Sequence, residues 1–349
     1  AYTYNGFITS PSGSGTIQGS VKEADGSALS GAKVSFSIYG STVTPDDTTT
    51  DSNGDYSLSS LGLGEYTLTY SKSDYLTEIQ SDTLETDGQT LTVGTITQLP
   101  DNCTSGTISG NITDAVSGDN VSSVDLKAYK GGTYVKSTTT NNDGEYSFSN
   151  MNPGWHAVHT DRGGYIDEKF WAYSCGNQSG QDNSISTILG TDVMRIVLKW
   201  PKTNPETGND LDSNLYSPDG EGGWDRIYFT TPNKTYGTDT VKLDKDDDKD
   251  SAPPGDETIT ISKVRSGTYI YQVHNWSDKS VTNANKANLK NSKAMVKVYF
   301  NDGGTCCTKK KYYVPNDNGT LWGVFTFNGD TRTFTASDNM TTKNPGADP

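Results

Sequence analysis

Apolar residues along this chain alternate with polar ones in short runs, and no ten-residue stretch repeats them at the spacing of a helix face. The run Lys33-Val34-Ser35-Phe36-Ser37-Ile38-Tyr39 shows the rule: every second side chain is apolar, so a strand here buries one face and wets the other. Comparable runs are separated by Gly, Asn and Asp, the residues that supply turn conformations. The pattern predicts an all-β chain.

The alternation is also written twice, over blocks of about 85 residues. Ser14-Gly15-Thr16-Ile17-Gln18-Gly19 opens the first copy and Ser105-Gly106-Thr107-Ile108-Ser109-Gly110 the second. Each copy then carries a hairpin, Asp51-Ser52-Asn53-Gly54-Asp55-Tyr56 and Asn141-Asn142-Asp143-Gly144-Glu145-Tyr146, and a Gly-aromatic step, Gly64-Glu65-Tyr66 and Gly154-Trp155. The Asn-Gly and Asp-Gly pairs read as plain hairpin turns. From Met194-Arg195-Ile196-Val197-Leu198-Lys199-Trp200 onward the text changes and a longer β segment begins. The expected architecture is three β-sandwich domains in tandem: residues 14–100, 101–190 and 191–336, preceded by a strand in 1–13 and followed by a tail in 337–349. The N-terminal strand, with Tyr2, Tyr4, Phe7 and Ile8, has no hairpin partner nearby. It pairs either with its own first sandwich or with the open edge of a neighbouring subunit.

Gly-Thr-Ile-x-Gly, the segment Ala28-Leu29-Ser30-Gly31-Ala32-Lys33-Val34, the Asp/Asn-Gly-Asp/Glu-Tyr hairpin and the Gly-aromatic step together resemble the carboxypeptidase regulatory-like family, a transthyretin-like sandwich related to collagen-adhesin B-type repeats. In the second copy the middle segment departs from that pattern, as Asp119-Asn120-Val121-Ser122-Ser123-Val124. The resemblance implies a fold and no particular activity. The third segment carries Asp210-Leu211-Asp212, then Leu243-Asp244-Lys245-Asp246-Asp247-Asp248, then Gly255-Asp256-Glu257 before a strand. This order resembles a bacterial extracellular β-sandwich family of uncharacterised function, YfaP-like, in which a shorter acidic turn stands at the same place.

Asp244, Asp246, Asp248 and Asp250 alternate in a loop where their charges repel, and a hard cation with six to eight oxygen ligands would relieve that. Asp210, Asp212, Asp244, Asp246, Asp248 and Glu257 are therefore the candidate Ca²⁺ ligands, set against a solvated acidic loop neutralised by Lys245 and Lys249. Asp246, Asp248, Asp250 and Glu257 are spaced like an EF-hand loop, but Ser251 replaces its turn glycine and the flanks read as strands, which excludes that motif.

The net charge of −15 disfavours nucleic acid as a partner, and no apolar run approaches the roughly 20 residues that span a bilayer. A start at Ala1 without an apolar leader fits a secreted chain after leader removal, or a trimmed one. Cys103 and Cys175 bracket the second copy and are expected to form a disulfide in an extracellular protein. The adjacent Cys306 and Cys307 either pair with each other or with a neighbouring subunit. Asn-x-Ser/Thr sequons at Asn102, Asn111, Asn120, Asn177, Asn233, Asn275, Asn318 and Asn339 permit glycosylation.

Catalytic signals are weak. His156 and His159 fall on opposite faces of an expected strand, and no nucleophile elbow, phosphate loop or dinucleotide fingerprint occurs. The expectation is a non-enzymatic, extracellular structural subunit that forms a homopolymer by strand exchange, Ca²⁺-stabilised and glycosylated. The alternative is a secreted carbohydrate-binding or adhesin module that uses Trp155, Trp171, Trp224 and Trp276 to stack on sugars.

Overall fold

Turn glycines and period-two alternation produce strands throughout the computed structural model, which describes residues 12–38, 47–84, 88–201, 210–248, 254–281, 289–346 and 348–349. Among these residues there is no α-helix, only strands and short 3-10 turns. The fold is all-β, built from several separate sheets packed as tandem sandwiches.

The first repeat contains β1 (Ser12–Lys22), β2 (Lys33–Ile38), β3 (Thr48–Thr49), β4 (Asp55–Leu61), β5 (Gly64–Ser71), β6 (Glu78–Leu84), β7 (Thr90–Thr92) and β8 (Ile96–Thr97). One sheet runs β4-β1-β7 with β8 also beside β1; the facing sheet runs β3-β2-β5-β6. Ile17, Val21, Val34, Leu58, Tyr66 and Leu68 fill the space between them.

The second repeat has β9 (Gly106–Asp114), β10 (Asp125–Lys130), β11 (Thr133–Thr139), β12 (Glu145–Met151), β13 (Gly154–Asp161), β14 (Glu168–Ser174) and β15 (Asn183–Ile185). Sheets β12-β9-β15 and β11-β10-β13-β14 enclose Ile108, Ile112, Leu126, Phe148 and Val158.

Equivalent residues do equivalent work in the two copies. The Asp51 carboxylate accepts the N–H groups of Asn53 and Asp55; the Asn141 carboxamide oxygen accepts those of Asp143 and Glu145. The turn glycines Gly54 and Gly144 sit at φ of 80° and 70°, a conformation that side chains resist. Thr50 Oγ1 donates to Leu29 O and accepts from Ala32 N–H, and Thr140 Oγ1 likewise donates to Val121 O and accepts from Val124 N–H. Both threonines are buried, so neither hydroxyl has water as an alternative partner.

The third sandwich comprises β16 (Met194–Trp200), β17 (Leu211–Pro218), β18 (Trp224–Ile227), β19 (Asn233–Tyr236), β20 (Asp239–Lys245), β21 (Gly255–Ile261), β22 (Thr268–Asn275), β23 (Met295–Phe300), β24 (Thr308–Tyr313), β25 (Leu321–Asn328) and β26 (Thr333–Thr341). A six-stranded sheet, β19-β20-β21-β16-β23-β24, packs on a five-stranded one, β18-β17-β22-β25-β26. Trp200, Trp322, Tyr269, Tyr271, Phe325 and Phe327 dominate its core.

Strand β26 continues to Thr341, past residue 336 where the alternation was expected to end. The ladder jumps from Gly323↔Asn339 to Phe325↔Ala336, and Asp338 has φ 45°. Such an irregularity shifts the phase of the side chains and hides the strand from a period-two reading. Phe334 and Met340 still pack against the core from either side of it.

Candidate functional site

Because β16 and β23 are central strands, their alternate side chains leave the core and point together from one face of the six-stranded sheet. That outer face bears Arg195, Val197 and Lys199 of β16, Lys297 and Tyr299 of β23, and Asp256, Thr258 and Thr260 of the neighbouring β21. The second sandwich docks here. Ala115, Ile166 and Leu189 from that sandwich meet Val197 and Tyr299 in a small apolar core, with Val193, Cys306 and Cys307 against it.

Polar contacts surround this core. Lys297 Nζ lies 2.6 Å from Glu168 Oε2, with both side chains only 3% and 2% exposed. Burial alone would raise the Glu168 carboxyl, but Lys297, helped by Lys311 and Tyr299, holds it below its ordinary value. Arg195 Nη1 donates to Ser186 Oγ at 2.7 Å and Thr187 Oγ1 at 2.9 Å, and Asn301 Nδ2 donates to Leu189 O at 2.7 Å. Thr258 Oγ1 reaches Ala115 O, and Lys199 Nζ reaches Asn183 Oδ1 at 3.1 Å. Lys309 Nζ donates to Asp167 O at the rim.

The first sandwich touches both others more thinly. Trp155 Nε1 donates to Thr97 O at 2.8 Å, and Lys22 Nζ donates to Asn291 Oδ1 at 3.3 Å. Gly94 packs under the Tyr313 ring of β24. The three sandwiches are therefore mutually in contact and do not hang as separate beads.

The six candidate Ca²⁺ ligands are divided by the sheet. Glu257 points inward at the end of the sandwich, 1% exposed, and its Oε2 accepts the Ser213 N–H at 2.6 Å. Burial, then the charge of Asp212 and the contact with Asp246, push its carboxyl well above the usual range. Asp212 lies 3.8 Å from His274 Nδ1, and its buried Oδ2 has no hydrogen-bond partner.

Asp212, Asp246 and Glu257 are thus near one another. They do not converge, and among the described residues no three His, Cys, Asp or Glu side chains are placed to hold a metal ion. Asp244 departs from the expected set. Plain alternation along β20 sets it on the outer face with Lys242, 3.4 Å away and within electrostatic reach of Arg195. Asp210 is buried, with its backbone oxygen accepting from Trp276 N–H, and Asp248 is exposed. Asp250 lies outside the described residues.

Cys103 and Cys175 are bonded, with S–S 2.08 Å and Cα–Cα 4.5 Å, and Cys306 is bonded to Cys307. The bond to Cys175 closes on β14, before the short β15 completes the second sandwich. Asn102, Asn120, Asn177, Asn233 and Asn339 are exposed, and Asn111 and Asn318 are partly so. Asn275 is fully buried, and its Nδ2 donates to Asp278, so that sequon offers no accessible amide. His156 is buried against Asn152 O while His159 is exposed, on opposite faces of β13. Tyr2, Tyr4, Phe7 and Ile8 lie outside the described residues.

The polar docking face was not foreseen. Its one signal in the sequence is the run Arg195-x-Val197-x-Lys199, cations at alternate positions of a central strand that ought to be apolar on both sides.

Residues 16–98 and 107–182 each match the carboxypeptidase regulatory-like domain family. No curated protein matches the chain. Among solved structures, a streptococcal ancillary pilin is 15% identical with a TM-score of 0.22 and covers 50% of this chain and 62% of its own. The Bacillus anthracis TIE protein is 14% identical with a TM-score of 0.22 and covers 88% and 49%. The shaft pilin SpaA from Lactobacillus rhamnosus GG is 10% identical with a TM-score of 0.21 and covers 50% and 98%. The chain thus spans less than two thirds of the first two, and overlaps of this quality assign no function. No described helix is long and apolar enough to cross a membrane.

Proposed function

We propose that this chain is a non-catalytic structural subunit of an extracellular filament or surface assembly, polymerising by exchange of its N-terminal strand between copies. The observation that carries the reading is the docking of two repeated sandwiches on a third through buried contacts, Lys297–Glu168 foremost. Hinged sandwiches would stretch and bend, whereas these are braced into one block, the mechanical property an assembly unit needs. The Cys103–Cys175 bond agrees with an oxidising location.

The YfaP-like likeness of the third sandwich and occupancy of the exposed sequons belong to the same proposal, as does a Ca²⁺ ion taken up by Asp212, Asp246 and Glu257 through a rearrangement of the acidic loop, since as placed they do not converge. A ligand that binds only the folded state must raise its stability. Calcium is therefore expected to raise the melting temperature in the wild type and not in Glu257→Gln; an unchanged wild type removes calcium from the proposal.

Electron microscopy tests the assembly itself. The purified chain should form filaments as its concentration rises, and deletion of residues 1–10 should abolish them. Filaments of the truncated chain would overturn strand exchange, and dispersed single molecules of the full chain at high concentration would overturn the assembly reading.

One observation favours a second reading, glycan adhesion. Phe229, 38% exposed, meets Trp276 edge-on at 5.0 Å, and Lys279 lies over the same indole. Aromatic faces with a nearby donor can stack on sugars. Retention of a monomeric chain on polysaccharide columns, lost in Phe229→Ala, would mark that function.

A further inference from the structure

The outer face of the sheet β11-β10-β13-β14 is laid out in rows, because alternate residues of each strand leave the core. Tyr129, Ala157 and Trp171 form one row, and Lys127, His159 and Lys169 form the next. Ala157 is thus a small residue between two rings, and the aromatic row has a low floor with a ring at each side. Trp171 is 47% exposed, and Lys169 Nζ stands 5.6 Å from its ring centroid. Tyr129 meets His159 edge-on at 4.9 Å.

Where the second and third sandwiches meet, Lys309 and Lys311 of β24 come up against the same cationic row. With Lys127, Tyr129, His159 and Lys169 they line an open cleft of about 410 Å³, within the roughly 300–1,000 Å³ of small-molecule sites. Among the described residues Lys127, Lys169 and Lys311 have no carboxylate at ion-pair distance, and Glu168 is already taken by Lys297. Burial, then Lys297, Lys169 and Lys309, lower Lys311 to about 8 against the pull of Glu168. Four amines gathered at one cleft run against the net charge of −15 of the chain. Asp125, Asp161 and Asp167 also line it, with Asp125 and Asp161 paired one row further from the rings. The Asp125 carboxylate already accepts from Thr139 Oγ1 at 2.8 Å.

We propose that this cleft and the aromatic row beside it bind an acidic glycan, a chain of carboxylated sugars. A sugar ring stacks on the open Trp171 indole, over the floor that Ala157 provides. Rows two residues apart on a strand are about 7 Å apart, the scale of one sugar ring. A carboxylate on the stacked sugar or its neighbour therefore meets Lys127 and Lys169, and the amines of Lys309 and Lys311 take the next acid along the chain. Sugar hydroxyls donate to Asp161 and Asp167, which accept and cannot donate when ionised. The order of the rows selects this ligand. A neutral sugar would leave the amines without a counter-charge, and a polyanion that lacks hydroxyls would meet the aspartates with nothing to donate.

The inference is independent of how the chain assembles, and its site is separate from the Phe229–Trp276 face. Calorimetric titration of the full chain with oligogalacturonate, oligomannuronate and hyaluronate oligosaccharides tests it, with maltohexaose and poly-glutamate as the neutral and the sugar-free controls. At least one acidic oligosaccharide should bind, more weakly as salt rises, and neither control should match it. Trp171→Ala and Lys127→Ala, both at exposed positions, should each weaken binding about tenfold or more. Phe229→Ala should leave it unchanged, so failure here is distinct from failure of the adhesive face. No binding by any of the three acidic oligosaccharides overturns the proposal. Equal binding of poly-glutamate marks a plain cationic patch and overturns it too, as does equal binding of maltohexaose. Acidic binding that survives both Trp171→Ala and Lys127→Ala puts the ligand elsewhere on the molecule and overturns this site.

Discussion

Glu78 and Glu168 occupy the same place in the two repeats, the first residue of β6 and of β14, each paired across the sheet with the end of the preceding strand. Their carboxyls are shifted in opposite directions. Burial pushes Glu78 up to about 8, with Lys130 offering only partial relief. Glu168 is held below its ordinary value because Lys297 of the third sandwich reaches in and bonds it. Two copies of one text thus hold opposite charge states at one position, and the cause lies outside the repeat. A repeated sequence specifies the sandwich; what docks on the sandwich decides the electrostatics of its edge.

The largest expected difference between the copies comes from the disulfide, which only the second possesses. Replacing Cys103 and Cys175 by Ala should destabilise the second repeat by about 4 kcal/mol in the chain-entropy model, read from denaturant unfolding. The first repeat should keep its own transition.

Next in size is Lys297→Met. It leaves Glu168 buried without its ion-pair partner, with only Tyr299 and the more distant Lys311 to relieve it, which costs roughly 3 kcal/mol when a buried pair is broken on one side. The same variant should convert Glu168 into a second Glu78, with its carboxyl raised in an NMR titration. If Glu168 stays low, the pair is not what distinguishes the repeats.

Thr50→Val and Thr140→Val should each cost about 1–3 kcal/mol, because each leaves a buried carbonyl and N–H without the hydroxyl between them. The two losses should be equal within error, since this device is entirely internal to the repeat. Unequal losses would show that docking reaches the turn as well.

A further contrast is the pH dependence. The folded value of Glu78 lies above its unfolded value of 4.5, so its contribution is fully present below that pH and is lost as pH rises through about 8. Glu168 runs the other way: its contribution is present above 4.5 and is lost as pH falls through its depressed value. Melting curves between pH 5 and pH 8, taken for Glu78→Gln against wild type, should therefore show the variant falling less steeply with rising pH.

The two repeats, their hairpins and the all-β class were legible in the alternation and in the paired Gly-Asp/Glu-Tyr turns, because those are local conformational demands. Within the candidate site the legibility was uneven. Cys103 and Cys175 could be paired from their positions at either end of the second copy. The acidic run 244–248 looked like one ligand set, yet alternation puts Asp244 on the outer face beside Lys242 while Glu257, paired with Leu198, points into the core. Which face each carboxylate takes is invisible in a list of aspartates. A phase shift in the ladder concealed the end of β26.

Composition and period two thus determined strands, turns and the doubling of the sandwich, since each of these depends on residues a few positions apart. Only the tertiary structure decided which cations meet which acids, because Lys297 finds Glu168 across 129 positions of sequence and Lys199 finds Asn183 from another sheet. Charge states and hydrogen-bond partners are set by low-dielectric contact between surfaces, and no local pattern encodes which surface arrives.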